Sequence, residues 1–188
     1  MDQIRQYFEQ IVPIDDDDWN LFSTRLEKCA HPKKTLLLKA GQTEKHLSFI
    51  EKGIVRLFIP KIENDLTLGF CFENQFVSAY DSFLTQKPCN YQVETLSDTV
   101  LWRISHESLG EVYAQSDIGN TIGRLTAETL FLLKSERELS LLQQSAAERY
   151  LSLFEKRPNL IKEIPLKYIA SYIGITPQAL SRIRKRIS

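Results

Sequence analysis

The sequence of 188 residues has few of the features that define several protein classes. Its three cysteines, Cys29, Cys71 and Cys89, are odd in number and lack any CxxC spacing. Such cysteines indicate free thiols in a reducing compartment, and they argue against a disulfide framework or a cysteine-based zinc site. No apolar run reaches the roughly 18–20 residues that a membrane helix needs. The N-terminal segment also lacks the basic and apolar regions of a secretory signal. We therefore expect a cytoplasmic protein that does not enter the membrane.

Histidines and glycines are too scattered to build a familiar catalytic site. His31, His46 and His106 form no HxH pair, which a metal-dependent barrel enzyme would need. The seven glycines lie too far apart for a phosphate-binding loop or a nucleophile elbow. We interpret the chain as a protein that is not an enzyme and that uses no metal or cofactor, with a cupin-like barrel enzyme as the weakest alternative.

The charged residues balance overall but are unevenly distributed. The last 33 residues, from Lys156 onward, hold eight basic residues and one acidic residue, a net charge of +7 that leaves −7 on the other 155 residues. A basic segment on an otherwise acidic chain indicates contact with a polyanion. From charge alone, the alternative is a solvated tail.

Apolar spacing divides the rest of the chain into helical and strand segments. The first 30 residues have helical spacing, with Asp15–Asp18 at the N-terminus of a second helix. Between about Lys33 and Ile104, short β-branched and aromatic runs alternate with turns at Gly41 and Gly53. Several short strands at close spacing are typical of an antiparallel barrel or roll.

From about Ser116 to Phe154 the apolar spacing is helical again, which predicts a long helix after the strands. Its apolar residues follow a heptad pattern that only Thr129 and Glu136 interrupt. The members of this predicted dimer seam are Ile118, Ile122, Leu125, Leu132 and Leu139. The pattern favours pairing with a second copy of the chain, and the alternative is a single core helix inside a monomer.

The last segment has the spacing of a helix-turn-helix. Ala170, Gly174, Leu180 and Ile183 occupy the positions of close helix contact, sharp turn and two core anchors. Thr176 is suited to cap the second helix. Because Arg and Gln recognise base edges and basic residues contact phosphates, we predict a DNA-binding surface on this helix. Gln178, Ser181 and Arg182 are predicted to face bases, and Thr176, Arg184, Lys185 and Arg186 to face phosphates. The alternative is a basic amphipathic helix that docks on a partner or a membrane.

These segments together resemble the Crp/Fnr superfamily of bacterial transcription regulators. KKTLLLKAGQTEKHLSFIEKGIVRLFI is similar to the family's first roll strands, and ASYIGITPQALSRIRK is the most specific stretch. The resemblance implies an α+β fold of N-terminal helices, an antiparallel β-roll (double-stranded β-helix), a long central dimerisation helix and a C-terminal helix-turn-helix. The expected domains are a cyclic-nucleotide-binding-like sensor (1–115), the dimerisation helix (116–142) and the DNA-binding domain (143–188).

The chain departs from this family at the effector site. Members that bind cyclic nucleotides have a Gly-Glu pair for the ribose and an Arg for the phosphate, where this chain has Ser78, Ala79 and Cys89. We therefore expect no binding of cyclic AMP in the usual way, and the effector is unknown. The candidate effector pocket comprises Phe70, Phe76, Ser78, Ala79, Tyr80, Cys89 and Tyr91. Its aromatic residues could instead fill the roll by packing, which is the favoured interpretation.

The sequence thus predicts a homodimeric transcription regulator that reads near-palindromic double-stranded DNA. RNA polymerase is a candidate further partner. The alternative is a small-molecule sensor whose C-terminal helices bind another protein.

Overall fold

The computed structural model describes residues 1–187, which form eight strands and nine helices. The strands are β1 Glu27–His31, β2 Leu36–Leu38, β3 His46–Lys52, β4 Val55–Ile59, β5 Leu66–Cys71, β6 Phe76–Val77, β7 Gln92–Thr95 and β8 Thr99–Ser105. The helices are α1 Asp2–Glu9, α2 Asp16–Ser23, α3 Tyr80–Thr85, α4 His106–Gln115, α5 Asp117–Gln143, α6 Ala146–Lys156, α7 Pro158–Glu163, α8 Leu166–Tyr172 and α9 Pro177–Ile187.

The strands form two four-stranded sheets that make up the β-roll. Their orders are β1-β8-β3-β6 and β2-β7-β4-β5. In the first sheet, β8 pairs antiparallel with both β1 and β3, so that Cys29 and Ile50 both lie opposite Leu101. Apart from the consecutive strands β4 and β5, neighbouring strands in each sheet are distant in sequence, as expected for a roll. The predicted fold class is confirmed.

Strand β1 differs from the sequence prediction, which assigned the first 30 residues to helices. Its sequence, EKCAH, has no fully buried position, and exposed and half-buried residues are mixed along it. Without a buried face, the strand has no apolar alternation, and its position depends on the ladder to β8.

The N-terminal helices contribute to an apolar core together with the first sheet and helices α4 and α5. Ile4 and Ile104 in this core are fully buried. The Asp15 side chain accepts a hydrogen bond from the Asp18 backbone N–H at 2.8 Å, which caps α2. Asp16, Asp17 and Asp18 lie in the first turn of α2, so the acidic cluster is at a helix N-terminus as predicted, and the cap by Asp15 is an additional role.

The turn between β3 and β4 requires glycine. Gly53 has a φ of +105°, and a Cβ there would lie 2.7 Å from the Asp98 carbonyl oxygen. Because of the positive φ and the close backbone approach, any other residue at this position would be strained.

Helices α4 and α5 approach closely because two glycines lie in the first two turns of α5. A Cβ on Gly123 would lie 2.6 Å from the Tyr113 hydroxyl, and one on Gly119 would lie 3.0 Å from Val112. Ile122, between these glycines, is only 7% exposed and packs in the core of its own chain.

The helical region that the sequence predicts from Ser116 to Phe154 is divided in two. Ser145 and Glu148 form a capping box in which each side chain binds the other's backbone N–H, and α6 begins there. The two helices predicted at the C-terminal end are present as α8 and α9, and Gly174 joins them with a φ of +80°.

The chain divides into two compact units. One comprises Met1–Leu57 and Phe70–Thr129, and the other comprises Phe58–Gly69 and the chain from Leu130 onward. The end of the β4–β5 hairpin therefore belongs to the same unit as the C-terminal helices. Among residues 1–187, no helix combines the length and the apolarity needed to cross a membrane.

Candidate nucleic-acid interface and effector pocket

Helix α9 has one buried face and one exposed polar face. Leu180 is 1% exposed and anchors the helix, and Ile183 is half-buried. Gln178, Ser181 and Arg182, which the sequence predicts to face bases, are all exposed. The spacing of four residues between Gln178 and Arg182 places them on the same side of the helix. The residue types that recognise adenine and guanine edges thus lie together on a solvent-facing strip.

The N-terminus of α9 is capped by the side chain of Thr176. The exposed Thr176 hydroxyl accepts a hydrogen bond from the Ala179 backbone N–H at 3.2 Å. Pro177 has no backbone N–H and the Ala179 N–H is bound by Thr176, so it is the positive end of the helix dipole that favours a phosphate here. Thr176 therefore lies where a DNA backbone contact is chemically suitable.

The last turn of α9 carries three exposed cations, Arg184, Lys185 and Arg186. Positive charge at a helix C-terminus also complements the dipole, so these residues have a structural role even without DNA. Arg182 lies in the middle of the helix and gains little from the dipole. It is therefore the more specific indicator of a nucleic-acid surface.

Helix α8 has buried residues that pack in the helix-turn-helix. An arginine on α6, which the sequence patterns did not identify, binds the end of α8. Ile169 and Ala170 are fully buried, as the helix-turn-helix spacing predicts. The Nε of Arg149 on α6 donates a hydrogen bond to the Ile173 carbonyl at 2.9 Å. This bond satisfies a carbonyl at the end of α8, directly before the turn.

The predicted dimer seam on α5 divides into a buried and an exposed part. Ile122 is in the core, and Ile118 and Leu125 are half-buried. Leu132 and Leu139 are 66% and 52% exposed. The most exposed apolar side chains on the second half of α5, here called the stem strip, are Phe131, Leu132, Leu139 and Leu142. The exposed face is therefore shifted from the predicted heptad line by the addition of Phe131 and Leu142.

Two residues of the candidate effector pocket lie in a tightly bonded region. Cys89 is 5% exposed, and its thiol donates to the Tyr91 carbonyl at 3.1 Å. Burial raises the pKa of the Cys89 thiol, which keeps it protonated and unreactive. The buried Tyr91 hydroxyl donates to the Asp81 carboxylate, and burial is the main reason that the pKa of Tyr91 is raised.

The pocket's other candidate residues serve mainly as packing. Phe76 stacks on Phe8 of α1 at 5.9 Å, and Tyr80 stacks on Phe83 at 6.1 Å. Both rings pack against the helical core. Ala79 is fully buried and Phe70 is 5% exposed. The Ser78 hydroxyl donates to the His46 carbonyl at 2.9 Å.

The roll also contains an ion pair with a buried arginine that the sequence analysis missed. Arg56 on β4 is 1% exposed, and it binds the Glu94 carboxylate on β7 at 2.9 Å. Charged residues in a strand normally indicate a wet face, so no signal in the sequence alone pointed to this pair.

No metal centre is formed by the described part of the chain. No group of three or more His, Cys, Asp or Glu side chains in residues 1–187 is arranged to hold an ion.

Comparisons with known proteins identify the type of fold. Residues 29–116 match the family model of the cyclic nucleotide-binding domain. No curated protein matches the sequence. The structure is similar to that of a transcriptional regulator of the crp/fnr family from Eubacterium rectale, with a TM-score of 0.75, 18% identity, and coverage of 97% of this chain and 87% of that one.

Two further structures support the same conclusion. The c-di-GMP responsive global regulator CLP of Xanthomonas campestris has a TM-score of 0.70 at 18% identity, covering 92% of this chain and 91% of that one. FixK2 of Bradyrhizobium japonicum has a TM-score of 0.71 at 16% identity, covering 86% and 84%. At these identities the likeness shows the fold, and it extends over nearly the whole chain.

Proposed function

We propose that this chain, which contains a cyclic nucleotide-binding domain and has the fold of the Crp/Fnr regulators, is a homodimeric regulator of transcription that binds double-stranded DNA. The observation that carries the proposal is the geometry of α9. Leu180 anchors the helix, and Gln178, Ser181 and Arg182 face solvent in the middle of the chain's most basic segment.

Base recognition follows from the chemistry of this strip. Arg182 can donate two hydrogen bonds to the O6 and N7 of a guanine, and Gln178 can pair with the N6 and N7 of an adenine. Thr176, Arg184, Lys185 and Arg186 then contact the phosphates, fix the register and contribute most of the salt dependence. The proposed half-site therefore contains a guanine and an adenine on the face that α9 reads.

Pairing of two chains follows from the stem strip. Phe131 is 69% exposed and Leu142 is 77% exposed, and both lie on the same helix as Leu132 and Leu139. Four large apolar side chains along one helix favour burial against a second copy. A two-fold dimer would place its recognition helices in successive major grooves roughly 34 Å apart on a near-palindromic site. A regulator bound beside a promoter would meet RNA polymerase, which we propose as a further partner.

The sensor domain is proposed not to take cyclic AMP in the usual way. The positions expected to bind the ribose and phosphate are Ala79, which is fully buried, and Cys89, which is 5% exposed beside the Tyr91–Asp81 hydrogen bond. Neither side chain can form an ion pair with a phosphate. Calorimetry with cyclic AMP should detect no binding, and a 1:1 complex with micromolar affinity would contradict this part of the proposal.

The DNA-binding role can be tested with a charge-matched comparison. One variant replaces Arg182, Lys185 and Arg186 by Ala on α9. The control replaces three exposed lysines of the sensor domain, Lys33, Lys39 and Lys45, and so removes the same charge. Affinity for a labelled duplex of mixed sequence is measured by fluorescence anisotropy at two salt concentrations.

The α9 variant should bind much more weakly than the wild type. Its salt slope should fall by about two, since two of the three residues face phosphates. The control should resemble the wild type. Equal losses in both variants would mean that only net charge matters, and absence of binding by the wild type would favour a protein partner for the C-terminal helices.

A further inference from the structure

The end of the β4–β5 hairpin is bound by the first helix of the helix-turn-helix. The Ser171 hydroxyl on α8 accepts a hydrogen bond from the Thr67 N–H at 2.8 Å and donates one to the Asp65 carbonyl. Thr67 is only 2% exposed. A side chain of the DNA-binding motif thus binds the hairpin through its backbone.

Arg137 on α5 joins the same two elements from the other side. Its Nη2 donates to the Thr67 carbonyl at 3.1 Å and to the Tyr172 carbonyl at 3.0 Å. The guanidinium carbon also lies 4.7 Å from the centre of the Tyr172 ring. Because Tyr172 is the last residue of α8, the positive charge lies at the negative end of that helix.

This arrangement depends on the shape of the guanidinium group. Charge-assisted hydrogen bonds are roughly twice as strong as neutral ones. A flat guanidinium can stack on a ring while its edge donates hydrogen bonds, whereas a lysine ammonium cannot do both. Arg137 therefore holds the hairpin and α8 to the helix that carries the stem strip.

The orientation of α8 also determines that of the recognition helix. Helix α8 ends at Tyr172 and α9 begins at Pro177, so only a short turn separates them. The buried Ala170 and Leu180 provide closely packed surfaces on the two helices. A change in the way that Arg137 holds α8 would therefore change the direction in which α9 presents Gln178, Ser181 and Arg182.

We propose that Arg137, supported by Ser171, is a positioning residue that sets the orientation of the helix-turn-helix against α5. In a dimer paired through the stem strip, this orientation fixes the distance between the two half-sites that the protein accepts. The inference rests on the proposed function, because it describes how the same DNA-binding surface is presented. It adds a residue that touches no DNA but determines operator spacing.

The test uses Arg137→Lys and Ser171→Ala. Each protein is titrated with duplexes that carry two half-sites at the preferred spacing, the same half-sites two base pairs closer or farther apart, and one half-site alone. Arg124→Lys is the matched control, because Arg124 is on the same helix and forms an exposed ion pair with Glu128 at 2.8 Å.

The wild type and the control should prefer the correct spacing by about tenfold or more, since half-site separation is a geometric requirement for a dimer. In both variants this preference should fall to about threefold or less, while affinity for a single half-site changes by less than about threefold. A role in stability alone would reduce the active fraction and lower all affinities by the same factor. Folded variants that keep the wild-type spacing preference would overturn the proposal.

Hydrogen exchange of the wild-type protein tests the contact without any substitution. The Thr67 amide should exchange much more slowly than the amides of the exposed hairpin residues around Glu63. Exchange of Thr67 at the rate of an exposed loop amide would overturn the proposal even if Arg137→Lys does not fold. A wild type that binds no duplex would instead contradict the proposed function, while Thr67 protection would still show whether the contact exists.

Discussion

Replacing two leucines of the stem strip should separate the proposed dimer. Leu132 and Leu139 are 66% and 52% exposed in the isolated chain, so their side chains contribute little to its own core. Burial of a leucine side chain contributes roughly 1.5–3 kcal/mol relative to full exposure. Alanine keeps only the first carbon of the side chain, and we expect a loss of roughly 1 kcal/mol at each buried site.

A two-fold interface contains each leucine twice, so the double variant Leu132→Ala/Leu139→Ala changes four sites. The expected loss is roughly 4 kcal/mol of dimerisation free energy, which corresponds to a dissociation constant about 1,000-fold larger. The fold of the single chain should be kept, because both positions are exposed and alanine favours helix. The control is Leu84→Ala on α3, since Leu84 is 58% exposed and lies outside the stem strip.

Sedimentation equilibrium over a wide range of protein concentrations measures the dimer dissociation constants of the double variant and of the control. The control should match the wild type within about threefold. If the double variant and the control have the same dissociation constant, the stem strip is not the interface. A wild type that stays monomeric at high concentration and on DNA would refute dimerisation itself.

Three further predictions concern base reading, pH and backbone geometry. Arg182→Ala should lower affinity for the selected site by about 1–3 kcal/mol and relax one base position, whereas Arg186→Ala should weaken all sites equally and reduce the salt slope by about one; identical profiles for the two variants would refute the assignment. Burial, followed by a nearby arginine charge, lowers the pKa of His46 in the folded protein. The unfolded chain therefore binds more protons than the folded protein, so protonation of His46 favours unfolding. The stability that comes from a neutral His46 is fully present above the unfolded pKa near 6.5 and is lost as pH falls through the folded pKa. Chemical denaturation of His46→Gln from pH 7.5 to 5 should show a weaker pH dependence than the wild type, and an unchanged dependence would refute it. Gly53→Ala should destabilise the protein by about 2 kcal/mol or more, because of the positive φ and a backbone clash. Gly110→Ala should stabilise it by about 0.5–1 kcal/mol, because a Cβ there meets nothing within 4 Å. Equal unfolding midpoints of the two variants in urea would contradict this.

Local signals in the sequence were sufficient for the elements that carry the proposed function. The Gly174 turn and the buried Ala170 and Leu180 fix the helix-turn-helix within about 15 residues of chain, so spacing alone predicts it. Strands with buried side chains, such as β3 and β4, were also predictable, because burial requires the short β-branched and aromatic runs that indicate a strand. Strand β1 was not, because its side chains are exposed or half-buried and its place depends on β8, about 70 residues later.

The arginine contacts around the helix-turn-helix could not be found in the sequence. Arg137 binds a carbonyl at Thr67, 70 residues earlier, and the acceptor is a backbone group that every residue has. Such a pairing leaves no trace in residue type or periodicity. The break before α6 is different, because Ser145 and Glu148 have the spacing of a capping box and a local reading could have identified it.

The central claim is that two copies of α9 read duplex DNA as a pair. Selection of bound fragments from random duplex DNA, carried out at two salt concentrations, tests it most directly. We predict enrichment of a near-palindromic sequence whose half-sites are centred about 10 base pairs apart, with affinity that falls steeply as salt increases. Recovery of no common sequence even at low salt, or of a single unpaired half-site, would contradict the account.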